Sequence, residues 1–145
     1  MKLSQNFSLL EMTRSQLAAR HGIDNKPNDM QLENLKILAK GMELVRTQLD
    51  SMPIIVSSGF RCEDLNDKLG SKRTSQHILG LACDFTCDRY AHVDRVFEVI
   101  AESSIPFDQL ILEHQSWIHI SFPIKEEDAR RQVLIIDKYG VRTRS

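Results

Sequence analysis

His77, Asp84 and His119 are the residues whose types and spacing point most directly to chemistry. His77 closes the run Ser75-Gln76-His77, Asp84 follows seven residues later, and His119 lies within Trp117-Ile118-His119-Ile120-Ser121. Two imidazoles and a carboxylate form the ligand set of a catalytic zinc ion. Such an ion takes nitrogen and oxygen at about 2.0–2.2 Å and leaves its fourth position to water. Structural zinc sites are normally closed by four protein ligands, and no fourth stands out here. A loop residue, a strand residue and a distant strand residue converge only if the fold brings them together. The remaining elements are therefore read for how they position these three.

Residues 7–21 read as a first helix, with Ser8 and Glu11 at capping-box spacing and Gly22 as a stop. Asp29 is expected to cap a long helix reaching about Leu49. Its stripe of Leu32, Leu35, Leu38, Ala39, Met42, Val45, Arg46 and Leu49 follows the three-to-four spacing of a buried face. Residues 53–57 are short and β-branched, as in a strand, and leave through the glycine turn Ser58-Gly59-Phe60-Arg61. A short helix over 62–69 and a polar loop over 70–75 lead to the His77 segment, which Gly80 ends. Residues 81–87 read as a strand and 90–103 as a helix with Asp88 as its cap. Residues 107–113 and 117–122 read as a hairpin around His114-Gln115-Ser116, and 132–138 as a last strand. Helices first and antiparallel strands late give an α+β fold, a small antiparallel sheet carrying the zinc site and flanked by helices. One domain is expected over 1–145, with N-terminal helices at about 7–50, a catalytic core at about 53–122 and a C-terminal strand and tail at 123–145.

Composition narrows the partners. The 145 residues are 41% hydrophobic and 27% charged, with a formal net charge of −1. That balance gives no electrostatic reason to expect nucleic acid, which demands an excess of Lys and Arg on one face. The basic run from Arg130-Arg131 to Arg142 and Arg144 reads as a solvated end. No run approaches the roughly 18 apolar residues of a membrane span, and the N-terminus lacks the apolar core of a secretory signal. Three cysteines, Cys62, Cys83 and Cys87, are an odd number and no complete disulfide framework. With Asp84 on a strand, Cys83 points to the opposite face and packs as a small hydrophobe.

Four blocks occur in order: Ser57-Ser58-Gly59-Phe60-Arg61, Leu65-Asn66, the run from Ser75 through His77 and Gly80 to Asp84-Phe85, and Trp117-Ile118-His119-Ile120-Ser121. In this arrangement the chain resembles the zinc D-Ala-D-Ala carboxypeptidases, a family that includes L-alanyl-D-glutamate endopeptidases and has a hedgehog-like fold. Phe7-Ser8-Leu9-Leu10-Glu11-Met12-Thr13-Arg14-Ser15 and Ile23-Asp24-Asn25-Lys26-Pro27 resemble its phage-type branch. The resemblance covers about residues 7–122.

It implies one Zn2+ per chain on His77, Asp84 and His119, and a peptidoglycan stem peptide as substrate. It implies that Arg61 binds the substrate carboxylate or polarises the scissile carbonyl, for which a guanidinium is suited. Ser75 is implied to lie close to substrate, while Asn66 ties a loop to its helix. In many relatives an acidic general base sits three residues before the last zinc histidine; here that position is Ser116. The nearest acid is Glu113, which a hairpin would stand beside the start of the zinc strand, and Glu113 is taken as the base. His114 is a second possible contributor, as an oxyanion donor. Trp117 is expected to pack beside the site and line a peptide or sugar groove. His92 reads as a helix-surface residue, and His21 suits the negative end of the first helix. The implied setting is phage-encoded: host cytoplasm before release, or a virion, with virion proteins as further partners. A second reading is a virion structural or binding protein, weak or inactive as a catalyst, on the same scaffold.

Overall fold

The computed structural model describes residues 1–144. Its elements run α1 (Leu9–Thr13), α2 (Gln16–Arg20), α3 (Asp29–Gln48), β1 (Ile55–Ser58), α4 (Glu63–Lys68), α5 (Gln76–Leu79), β2 (Ala82–Thr86), α6 (Val93–Ala101), β3 (Gln109–Glu113), β4 (Trp117–Ser121), β5 (Gln132–Asp137) and β6 (Gly140–Thr143), with one 3-10 turn at Glu126–Asp128. The expected α+β class is the one observed.

The expected first helix is two. The capping box of Ser8 and Glu11 forms as read, but the chain leaves the helix at Arg14, and the Ser15 hydroxyl accepts from the Ala18 N–H at 3.1 Å to start a new turn. A serine satisfies more backbone as an N-cap than inside a helix, where its hydroxyl competes with the ladder. Asn25 then uses the freed Thr13 carbonyl at 2.8 Å. The long helix forms as expected, except that Asn28, paired reciprocally with Gln31, is its cap rather than Asp29. His92, not Asp88, is the N-cap residue of α6.

Six strands form one sheet in the order β1-β2-β4-β3-β5-β6. Every pairing is antiparallel except β3 with β5, which is parallel and exceeds the purely antiparallel expectation. Alternation then sorts the side chains. Cys83, Phe85, Leu110, Leu112, Ile118 and Ile120 are buried in a core shared with Leu38, Met42, Val96, Phe97 and Ile100 of α3 and α6. The opposite parity puts Asp84, Gln109, Ile111, Glu113, Trp117 and His119 along a single cleft.

The N-terminal elements hold the loop after β1. Phe60 N–H donates to the Met12 carbonyl at 2.6 Å. Asn25 donates to the Phe60 carbonyl at 2.9 Å and accepts from Cys62 N–H at 2.8 Å. Between them Gly59 lies so close to α1 that a Cβ there would stand 2.4 Å from the Met12 carbonyl oxygen. Gly59→Ala is therefore expected to destabilise the fold by about 2 kcal/mol through overpacking against backbone, seen as a lowered midpoint in denaturant unfolding.

The C-terminal basic residues are paired rather than free, although Arg130 and Arg142 stay more than half exposed. Arg131 donates to the carbonyls of Ala101, Ser103 and Ile105 at the end of α6 and lies over the Phe107 ring. Arg144 pairs with Glu98 and Glu102, and Arg142 with Asp137. Arg130 forks onto Asp108, its Nε donating to Oδ1 at 3.0 Å and its Nη2 to Oδ2 at 2.8 Å. These hydrogen bonds outweigh the opposing effect of burial and, helped by Gln76, hold the Asp108 carboxyl below its ordinary 3.8. A depressed carboxylate contributes stability above its unfolded pKa and loses it as pH falls through the folded value. Asp108→Asn should therefore flatten the acid limb: between about pH 5 and pH 2 the parent chain loses more unfolding free energy than the variant, by denaturant titration at each pH.

Candidate metal centre and cleft

Three elements deliver the three ligands. His77 lies in the single turn of α5 rather than in open loop. Ser75 caps that turn, its hydroxyl accepting from His77 N–H at 3.2 Å, and Gly80 closes it at φ +79, a left-handed conformation that favours glycine. The long helix pins the far end: Gln31 donates to the Ile78 carbonyl at 3.0 Å and Asn34 to the Leu79 carbonyl at 2.9 Å. Asp84 and His119 face one another across the β2–β4 ladder.

The ligand atoms of His77, Asp84 and His119 all lie within 4.8 Å of one another. His77 Nε2 stands 3.3 Å from Asp84 Oδ1, and His119 Nδ1 stands 3.1 Å from the same oxygen. Two ligands about 2.1 Å from one ion at a tetrahedral angle are roughly 3.4 Å apart, so the spacing fits a zinc ion. The tautomer agrees. His77 Nδ1 lies 2.7 Å from the Gly59 carbonyl, which can only accept, so Nδ1 carries the proton. Burial lowers the His77 pKa against the pull of Asp84, which keeps the ring neutral. Its bare Nε2 lone pair then faces an Asp84 oxygen. Two acceptors in contact are resolved by a cation between them.

Burial pushes the Asp84 carboxyl up, but the His119 and His77 rings set against it outweigh burial and hold the group well below its ordinary 3.8. An anionic, half-enclosed carboxylate between two imidazoles is a hard-cation ligand that needs no proton removed near neutral pH. Among the described residues this is the one group of three His, Cys, Asp or Glu side chains able to hold an ion. Cys83 points to the core as read and is fully buried, its thiol pKa raised by desolvation. His92 is exposed and pairs with Asp94 at 2.7 Å.

The cleft around this centre has a volume of about 720 Å³, within the range of ligand sites. Arg61 lines it, half-buried, with Nη1 donating to the Ser71 hydroxyl at 3.3 Å and Nε enclosed without a partner. Desolvation lowers the Arg61 pKa against Asp84 and Glu113, and a guanidinium stays charged regardless. Ser75 lines the cleft as well as capping α5. Asn66 does tie its loop, donating to the Ser71 and Lys72 carbonyls at 3.2 and 3.0 Å.

Glu113 and Trp117 oppose each other at the mouth of the β3–β4 hairpin, both on the cleft side. Desolvation, and then the Asp84 charge, raise the Glu113 pKa above its ordinary 4.5. The Trp117 N–H pulls the other way without completing a hydrogen bond, and its Nε1 is buried and unpartnered. Ser116 spends its hydroxyl on the His114 carbonyl at 2.9 Å in the exposed turn. His114 lines a separate hollow with Asp137 and Tyr139 rather than the cleft. Gln109, Ile111 and Arg130 line the cleft unforeseen. The first two share the parity of Glu113 along β3 and were legible from that strand; Arg130 carried no local signal.

A two-histidine, one-carboxylate cluster with an open side, set in a polar cleft over an α+β sheet, defines the class of a zinc-type metallohydrolase centre. The family model described as Peptidase M15 matches residues 5–121, and the chain belongs to that family. No curated protein matches the chain. The family is one of zinc-dependent metallopeptidases, in keeping with the donor set. No described helix is long and apolar enough to cross a membrane.

Removing one ligand should cost most of the metal affinity. Asp84→Ala is expected to abolish stoichiometric zinc uptake after dialysis, read by elemental analysis, because two imidazoles alone make a weak site. Cys83→Ser should leave uptake at one ion per chain, since that thiol faces the core.

Proposed function

We propose that the chain is a zinc-dependent peptidase that hydrolyses a peptide bond of peptidoglycan stem peptides, D-Ala-D-Ala or L-Ala-D-Glu. The observation that carries this reading is Glu113 on the cleft side of β3, in the same cleft as the His77, Asp84 and His119 cluster. When bound, zinc supplies a Lewis acid that acidifies water and polarises a carbonyl oxygen. His77 and His119 present lone pairs to it, and Asp84 supplies the negative charge. The Glu113 carboxylate takes a proton from the attacking water and passes it to the departing amine nitrogen. Burial in the cleft wall favours its taking up a proton. Arg61, whose one side-chain hydrogen bond runs from Nη1 to the Ser71 hydroxyl, meets a substrate oxygen with its remaining Nη hydrogens. Trp117 walls the cleft beside the scissile bond.

Ser116 stands where many relatives carry the acid, and Glu113 supplies the carboxylate from the paired strand instead. That placement favours an enzyme over a virion structural or binding protein. The phage-type character of residues 7–27 supports a phage-encoded enzyme that meets the wall from within a host or from a particle.

Glu113→Gln keeps the shape and removes the base. It should lower kcat on a synthetic stem peptide by about a hundredfold or more with zinc content unchanged. Full activity in that variant would refute Glu113 as the base.

A further inference from the structure

Arg130 lies beyond the residues matched to the family and yet reaches the cleft wall. Its hydrogen bonds are divided in an informative way. Nε and one Nη2 hydrogen go to the buried Asp108, whose side chain is 10% exposed. Asp108 is itself fixed by the Arg130 backbone N–H at 3.3 Å and by Gln76 Nε2 at 3.0 Å. A guanidinium has five N–H donors, so three remain, on a side chain that is 58% exposed. The fork is held in place before any ligand arrives, which spares the entropy of ordering a long side chain.

The charge around the cleft agrees. Arg61, Lys72 and Arg130 line it against two acids, Asp84 and Glu113. Both acids lie by the candidate metal centre, and a dication there would leave the cleft strongly positive. Arg61 comes from the loop after β1 and Arg130 from the segment before β5, so the two guanidiniums reach the cleft from different elements. A peptide with a single carboxylate would use only one of them.

We propose that Arg130 is a specificity-determining residue that binds a second substrate carboxylate, distinct from the one met by Arg61, and that the preferred substrates are peptides bearing two free carboxylates. This rests on the peptidase reading above and names the substrate class of that site. Asp108 is a positioning residue that aims the guanidinium. Because Arg130 is more than half exposed, one such contact is worth a modest factor.

The test uses N-acetylated L-Ala-γ-D-Glu-L-Lys-D-Ala-D-Ala and two variants of it, one amidated at the D-Glu α-carboxylate and one at the C-terminus. The zinc-loaded parent protein should lose about fivefold in kcat/KM through KM on one of the amidated peptides. Arg130→Gln should lose the same factor on the doubly free peptide and nothing on that amidated one. Arg130→Lys, with charge but no fork, should recover part of it. Equal losses by Arg130→Gln on all three peptides, or no effect of either amidation, would overturn the proposal. Calorimetric binding of the same peptides to the zinc-loaded Glu113→Gln variant separates the two readings. An Arg130-dependent preference for the doubly free peptide, in a protein whose parent cleaves none, would sink the peptidase reading and uphold this one. Equal binding of all three would sink this one.

Discussion

The hydrogen bond between His77 Nδ1 and the Gly59 carbonyl decides which nitrogen of His77 faces the cleft, and most of the N-terminal architecture converges on it. The carbonyl sits in a loop with no regular structure of its own. It is held by Met12 through Phe60 N–H, by Asn25 through the Phe60 carbonyl and Cys62 N–H that follow it, and by the close packing of Gly59 on α1. The histidine sits in a single turn that could not persist alone. It is held by Ser75, Gly80 and two amide side chains of α3. Arg61 N–H also donates to the His77 carbonyl at 3.2 Å, so the loop and the turn bond in both directions. The helices at the start of the chain thus act as the frame that orients one imidazole.

The sheet contributes a simpler constraint. Once Asp84 is paired with His119 across β2 and β4, and Ile111 with His119 across β3 and β4, alternation leaves no choice about the rest. The odd-numbered residues of β3, with Trp117 and His119 of β4, face the cleft, and the even-numbered ones enter the core. A register slip of one residue would bury the ligands and expose Ile118 and Ile120. The apolar core on the far face is what makes the polar face reliable.

This explains what the sequence made legible. The hairpin, the long helix and the core face of Cys83 follow from spacing and alternation, which are local signals, whereas the grouping of His77, Asp84 and His119 came with the family resemblance. The parallel joining of β5 to β3 is not local: it pairs residues 23 positions apart, such as Gln109 and Gln132, and depends on Asp108 and Arg131 anchoring the segment before β5. β6 is exposed along its whole length and carries no alternation to read. The break between α1 and α2 turned on one serine whose capping was worth more than helix continuity. Arg130 is the clearest case. In sequence it is one of several basic residues near the end of the chain, and only the buried partner Asp108 gives it a place on the cleft wall.

His77 through Nε2, Asp84, and His119 through Nδ1 would together hold one zinc ion. Anomalous diffraction at the zinc absorption edge from zinc-loaded crystals tests it most directly. The predicted result is one ion per chain at about 2.0–2.2 Å from those three atoms, with the His77 Nδ1 to Gly59 contact intact. An ion elsewhere, or none, or one bound to His77 through Nδ1 with that contact broken, would contradict it.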